Sequence, residues 1–136
     1  MPEAYWSRKI AEQHLRRLGR KNHIKIHWLK GRKWLSAAEA ITTSREVRIP
    51  RPNNSRQYLV ALHEFGHILG IDHRRLRLDI EMTPGESKLM VEAAAWAWAL
   101  EHVSPELDED ILADDFKAVL SAAFWSHAWD VFITSA

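Results

Sequence analysis

Residues 56–69 have a helix-start signal before them and a helix-stop signal after them, which together predict a helix. The segment Asn53-Asn54-Ser55 offers N-cap side chains before it, and Gly70 offers a C-terminal stop after it. Apolar or small residues recur along one face of this helix at Leu59, Leu62, Gly66 and Leu69. That face needs a sheet or further helices to cover it, so the rest of the chain must supply the surrounding core.

The segments around this helix predict a single small α+β domain over residues 1–136. Apolar residues recur at helical spacing near both ends of the chain and alternate in the stretches between them. In chain order, the expected elements are a helix over 3–18 stopped by Gly19, strands over 23–29, 38–42 and 46–50, the helix over 56–69, and two C-terminal helices over 86–103 and from about Asp108. We expect the strands to form a mainly antiparallel sheet of about three strands.

The chain contains no cysteine, which excludes disulfides, zinc ribbons and thiol catalysis and limits any metal site to histidine and carboxylate ligands. Its net charge is only +1, but the charge is unevenly divided. Residues 1–60 hold 14 Lys/Arg against 4 Asp/Glu, and residues 61–136 hold 5 against 14. No stretch has the pattern of a signal peptide or a membrane span, so we expect a cytoplasmic protein without a membrane partner.

The helix over 56–69 contains the motif His63-Glu64-Phe65-Gly66-His67. Residues four apart lie on one face of a helix, so His63 and His67 can direct their imidazoles at one metal ion. Glu64 lies about 100° round the helix, close enough to reach a metal-bound water without being a ligand. We expect a Zn²⁺ site here. The alternative is a helix whose two histidines face solvent or each other.

A catalytic zinc site needs a third protein ligand, and two residues compete for this role. The first, His73, completes the pattern His63-Glu64-x-x-His67-x-x-Gly70-x-x-His73. This pattern resembles the metzincin signature and is similar to its matrixin version. The resemblance implies His73 as the third ligand, a sharp backbone turn at Gly70, and a methionine turn at Met82-Thr83-Pro84.

The second candidate, Glu92, lies in the stretch Glu92-Ala93-Ala94-Ala95-Trp96-Ala97-Trp98-Ala99. This stretch resembles the helix that supplies the glutamate ligand in ImmA/IrrE-type zinc peptidases, and residues 47–52 and 58–64 are also similar to that family. The resemblance covers about residues 38–103 and implies a zincin-like fold. We favour Glu92, with His73 beside the ligands or as a transition-state donor, because the calcium sites and secretion signal typical of a matrixin are not visible.

The resemblance implies a zinc-dependent metallopeptidase whose substrate is a peptide or one specific regulatory protein. Glu64 would take a proton from the water that attacks the peptide bond and pass it to the leaving amine. The residues that could stabilise the oxyanion are His73, Tyr58, His102 and an arginine of Arg74-Arg75-x-Arg77. The substrate is expected to lie extended along strand 46–50, at an edge of the sheet.

A second possible function has the same fold but no peptide-bond hydrolysis. It is a non-catalytic zincin-like module that binds nucleic acid or a protein partner through its basic N-terminal half. The excess of Lys/Arg in residues 1–60 favours such contacts. A solvated basic face, partly neutralised by the acidic residues between Glu106 and Asp115, is the simpler interpretation of that charge, so the peptidase is favoured.

Overall fold

In a computed structural model of the chain, the described residues are 6–30, 37–70 and 84–107. They form three helices and a three-stranded sheet, which confirms a mixed α+β architecture. In chain order the elements are α1 (Arg8–Asn22), β1 (Lys25–Leu29), β2 (Glu39–Ile41), β3 (Glu46–Pro50), α2 (Ser55–Leu69) and α3 (Pro84–Glu101). The helix expected from about Asp108 lies outside the described residues. None of the described helices is both long and apolar enough to cross a membrane.

The sheet is mixed, with strand order β1-β3-β2, so the expectation of a mainly antiparallel sheet is wrong. β1 pairs with β3 in parallel register, whereas β2 pairs with β3 in antiparallel register. The chain therefore leaves β1 and enters β2 at the same end of the sheet, and the tight turn after β2 brings β3 back between them. β3 is the central strand, and the expectation that residues 46–50 form a sheet edge is also wrong.

The two faces of the sheet differ in polarity, as the alternation of residues 46–50 predicts. Val47 and Ile49 on β3 are fully buried against the helices. On the opposite face, Nε2 of His27 lies 2.9 Å from Oε1 of Glu46, and Arg48 forms an ion pair of 3.2 Å with Glu39. The helices therefore cover one side of the sheet and leave a polar side.

Helix α1 extends beyond the expected stop at Gly19. It ends at Asn22, because His23 adopts the left-handed conformation with φ of 55°. Gly19 lies inside the helix and is buried, and its role is to let β1 approach. A Cβ atom at this position would lie only 2.9 Å from the carbonyl oxygen of Ile24. The glycine is needed for helix–strand packing. From the sequence alone, a glycine needed for such packing cannot be distinguished from one that ends a helix.

Helix α2 begins with the capping residues that the sequence predicts. Asn54 is the N-cap, and its Oδ1 accepts a hydrogen bond of 2.9 Å from the backbone N–H of Gln57. The side chain of Gln57 in turn accepts a bond of 3.0 Å from the backbone N–H of Asn53. At the other end, Gly70 has φ of −79° and is right-handed, so no left-handed turn occurs at this residue.

Helices α2 and α3 pack closely because Gly66 has no side chain. A Cβ atom at Gly66 would collide with the carbonyl oxygen of Ala95 and would lie 3.0 Å from its Cα. Ala95 is itself 1% exposed and small enough to permit this approach. The contact brings the backbones of the two helices together at the level of the histidine motif.

Replacing Gly66 with alanine should lower the free energy of unfolding by about 1–3 kcal/mol, the usual cost of overpacking. Alanine improves helix propensity by roughly 1 kcal/mol, but the atoms opposite belong to the backbone of Ala95 and cannot rotate away. Urea unfolding measures the change. Ala97→Leu adds volume at an exposed position of α3 and should stay within about 0.5 kcal/mol of the parent chain. Equal stability of Gly66→Ala and the parent would contradict the close contact.

A buried hydrogen-bond chain through Tyr58 joins α1, α2 and the segment after α3. Burial raises the pKa of the Tyr58 hydroxyl, so the group stays protonated. It donates to Nδ1 of His14 over 2.6 Å and accepts from the backbone N–H of Ser104 over 3.0 Å. The sequence contains no local signal for these hydrogen bonds, because His14 and Ser104 lie 44 and 46 residues from Tyr58.

His14 should make the fold less stable as the pH falls from about 6.5 to about 4. Burial, with smaller effects from the charges of Arg17 and His102, lowers the pKa of His14 from 6.5 to about 4. The unfolded chain therefore binds the proton more readily, and stability is lost as the pH falls through this window. Because His14 is partly exposed, we expect a loss of only about 1–2 kcal/mol.

Urea unfolding at pH 7 and at pH 4.5 checks this prediction. The His14→Asn variant is the matched control, because asparagine can accept the Tyr58 hydrogen bond and has no charge to gain. The difference in unfolding free energy between the parent and His14→Asn should shrink as the pH falls. A difference that is constant with pH would contradict the lowered pKa.

Candidate metal centre

Three side chains from two helices converge at the Gly66 contact. His63 and His67 lie on α2, and Glu92 lies on α3. One ligand atom from each lies within 4.8 Å of the other two. The i, i+4 spacing places both imidazoles on one face of α2, as predicted, and the close approach of α3 brings the carboxylate to that face.

The carboxylate of Glu92 bridges the two imidazoles. Its Oε2 accepts a hydrogen bond of 2.7 Å from Nε2 of His63, and its Oε1 lies 3.1 Å from Nε2 of His67. The two rings meet edge to face, with centroids 4.4 Å apart and planes at 69°. Both histidines therefore direct the same ring nitrogen at one carboxylate.

The cluster is largely withdrawn from solvent and carries a strong internal ion pair. Burial tends to lower the pKa of His63, but hydrogen bonds to Glu64 and Glu92 and their negative charges outweigh it, so the pKa is raised. Burial tends to raise the pKa of Glu92, but the hydrogen bonds to His63 and His67 outweigh the effect of burial. The pKa of Glu92 is therefore lowered. Glu92 is consequently ionised at neutral pH.

Glu64 lies beside the cluster but contacts the other nitrogen of the His63 ring. Its Oε1 is 3.4 Å from Nδ1 of His63, and its side chain is as buried as that of His63. A carboxylate at the second nitrogen of an imidazole fixes the tautomer and the ring orientation. This contact is a structural feature that the HExxH spacing did not predict, because the spacing alone does not set the rotamer of Glu64.

The indole of Trp96 forms one wall of the cluster. Its ring stacks on His63 with centroids 4.1 Å apart and planes at 14°. Trp96 follows Glu92 by one helical turn, so both reach the same imidazole from α3. The spacing of Trp96 and Trp98 predicts opposite faces and core packing. Trp96 does lie in the core, 5% exposed, and Trp98 packs against that core from a half-buried position.

Two residues proposed as oxyanion donors have other partners. The hydroxyl of Tyr58 is fully buried in the chain that joins His14 and Ser104, so it does not face a substrate. His102 stacks on Trp98 with centroids 4.0 Å apart, and its Nδ1 lies 2.8 Å from the carbonyl oxygen of Trp98. His102 therefore belongs with Trp98 and not with His63.

The remaining predicted site residues lie outside the described residues. These are His73, the arginines of Arg74-Arg75-x-Arg77, and Met82-Thr83 of the expected methionine turn. Glu92 is thus the candidate third ligand that the described structure brings to the two histidines.

No known protein family, curated protein or solved structure matches this chain.

Proposed function

We propose that the chain is a zinc-dependent metallopeptidase with a zincin-like fold. The observation that carries the proposal is the convergence of His63, His67 and Glu92. Glu64 lies next to His63 on α2. Two imidazoles and one carboxylate form a known donor set of catalytic zinc sites, in which the fourth position is left for water.

The three residues fit a zinc ion in chemistry, and their spacing is slightly shorter than the ion requires. Ligand atoms around tetrahedral zinc, at bonds of about 2.0–2.2 Å, lie roughly 3.4 Å apart. The separations of 2.7 and 3.1 Å between imidazole nitrogens and Glu92 oxygens are those of hydrogen bonds, and small side-chain rotations would widen them to that value. Because a metal must displace the proton of His63, binding should strengthen as the pH rises.

Each residue of the site has a separate task in peptide hydrolysis. Bound zinc supplies Lewis acidity, which polarises a carbonyl and makes water a nucleophile near neutral pH. Glu64 accepts the proton of the attacking water and delivers it to the leaving amine, for which its carboxylate rotates away from Nδ1 of His63. Trp96 restricts rotation of the His63 ring and excludes water from one side of it.

The peptide substrate is proposed to lie along β2 instead of β3. β2 is a strand with one unpaired edge among the described residues, and it packs against α2, which carries the motif. An extended peptide can satisfy the free backbone groups of such an edge by pairing with it. This arrangement suits an exposed, unstructured segment of a regulatory protein.

Zinc-dependent cleavage tests the proposal. The chain is stripped with a chelator, reloaded with one equivalent of Zn²⁺, and incubated with a peptide library derived from cellular proteins. Mass spectrometry should detect new termini with the zinc-loaded chain and none with the stripped chain. Zinc should also raise the melting temperature, because it binds the folded state preferentially. Zinc binding without cleavage would favour the non-catalytic module, and absence of zinc binding would contradict the peptidase proposal.

A further inference from the structure

A basic groove lies between α1 and β1, and neither of these elements contributes to the metal centre. The groove has a volume of about 550 Å³. Its charged lining residues are Arg16 and Arg20 from α1 and Lys25 from β1, with His23 between them, and Trp28 lies among the apolar lining residues. No carboxylate lines it.

The cations of the groove are available to a ligand. The side chains of Arg20, His23 and Lys25 are all exposed, and neither Arg20 nor Lys25 forms an ion pair within the described ranges. Arg16 is partly neutralised by Glu12, 3.3 Å away. The groove therefore has an excess of positive charge that is exposed to water, which favours an anionic ligand.

The groove opens along an unpaired sheet edge. β1 pairs with β3 on one side, and within the described residues no strand pairs with its other side. No residue of β3 lines the groove, so it lies on the unpaired side of β1. The free backbone N–H and C=O groups of such an edge form hydrogen bonds with an extended peptide, and nucleic acid offers no matching pattern.

The aromatic residue of the groove also disfavours nucleic acid. Single strands bind proteins by stacking bases on aromatic rings. The guanidinium groups of Arg16 and Arg51 already lie over the Trp28 ring, 5.2 and 5.0 Å from its centroid. Both arginines are held there by Glu12. A base would have to displace this network before it could stack.

We propose that the groove between α1 and β1 binds an acidic peptide segment, which adds to the free edge of β1 and directs its carboxylates at Arg20 and Lys25. This proposal does not depend on the peptidase function, because it uses none of the metal-centre residues.

Fluorescence anisotropy tests the proposal with a labelled octapeptide of alternating glutamate and threonine. A chelator is present throughout, so the peptide cannot bind through zinc. The double variant Arg20→Gln/Lys25→Gln should weaken binding by about tenfold or more, because it removes two charge-assisted contacts. The matched control Arg8→Gln/Lys9→Gln removes the same charge from exposed positions of α1 outside the groove. It should change binding by less than about twofold.

Two further probes test the edge and the ligand class. An octapeptide with alternate backbone amides methylated has the same charge but cannot pair with β1, so it should bind more weakly. A single-stranded oligothymidylate of equal charge should also bind more weakly. Tighter binding of the oligothymidylate, or equal losses in the two double variants, would overturn the proposal. Failure of the parent chain to bind the peptide would also overturn the proposal. That result is expected if an acidic segment of the chain itself fills the groove.

Discussion

Replacing Glu92 with alanine should weaken zinc binding by more than about 100-fold. Loss of a residue that only orients a ligand typically costs 10–100-fold, and Glu92 is proposed as a ligand itself. The variant leaves His63 and His67 as a two-residue site, and the hydrogen bonds that Glu92 forms with both imidazoles are lost as well. Competition with a chromophoric chelator measures the affinity at fixed pH.

Two comparisons make the Glu92 result specific. Glu101→Ala removes an exposed carboxylate from the same helix and should leave zinc affinity unchanged. His73→Ala tests the other candidate ligand and should retain one equivalent of zinc. Retention of zinc by Glu92→Ala together with its loss from His73→Ala would assign the third ligand to His73, as the metzincin resemblance implies.

Replacing Glu64 with glutamine should lower the rate of peptide cleavage by about 100- to 10,000-fold, the usual contribution of a general base. Glutamine has nearly the same shape as glutamate but cannot accept the proton of the attacking water. The variant should still bind zinc, because Glu64 is not among the three converging ligands. Initial rates on a peptide identified from the library, measured with saturating zinc, give the effect.

Zinc affinity separates the two roles that the position of Glu64 allows. If its main role is to orient His63 through Nδ1, zinc affinity should fall by about 10–100-fold in Glu64→Gln. If its main role is that of the base, the affinity should change little while the rate falls. Glu101→Gln is the matched control for loss of a carboxylate. An unchanged cleavage rate in Glu64→Gln would contradict the peptidase proposal.

The local features of the site could be read from the sequence, because short-range geometry determines them. The spacing of His63 and His67 places both imidazoles on one face of any helix, whatever packs against it. The N-cap at Asn54 depends on a hydrogen bond to a residue only three positions away. The alternation of Val47 and Ile49 likewise depends on the pleat of a single strand.

The long-range features could not be read in the same way. The i, i+4 pattern of Glu92 and Trp96 indicated a shared face, but it did not predict that both would contact the His63 ring. Gly19 is the residue type that commonly ends a helix, but in the folded chain it lies inside α1 and permits contact with β1. The hydrogen-bond chain through Tyr58 depends on three segments that meet only in the folded chain.

The sequence by itself limited the candidate metal ligands to histidine and carboxylate, and it identified the helix that carries two of the candidates. A chain without cysteine leaves histidine and carboxylate for a metal, and the caps and spacing of α2 present two histidines together. Tertiary structure decided which carboxylate meets them and which strands form the sheet edges. The physical reason is that strand order and helix approach depend on packing between distant segments. At the cluster of His63, His67 and Glu92, the contact of Gly66 with Ala95 sets that approach.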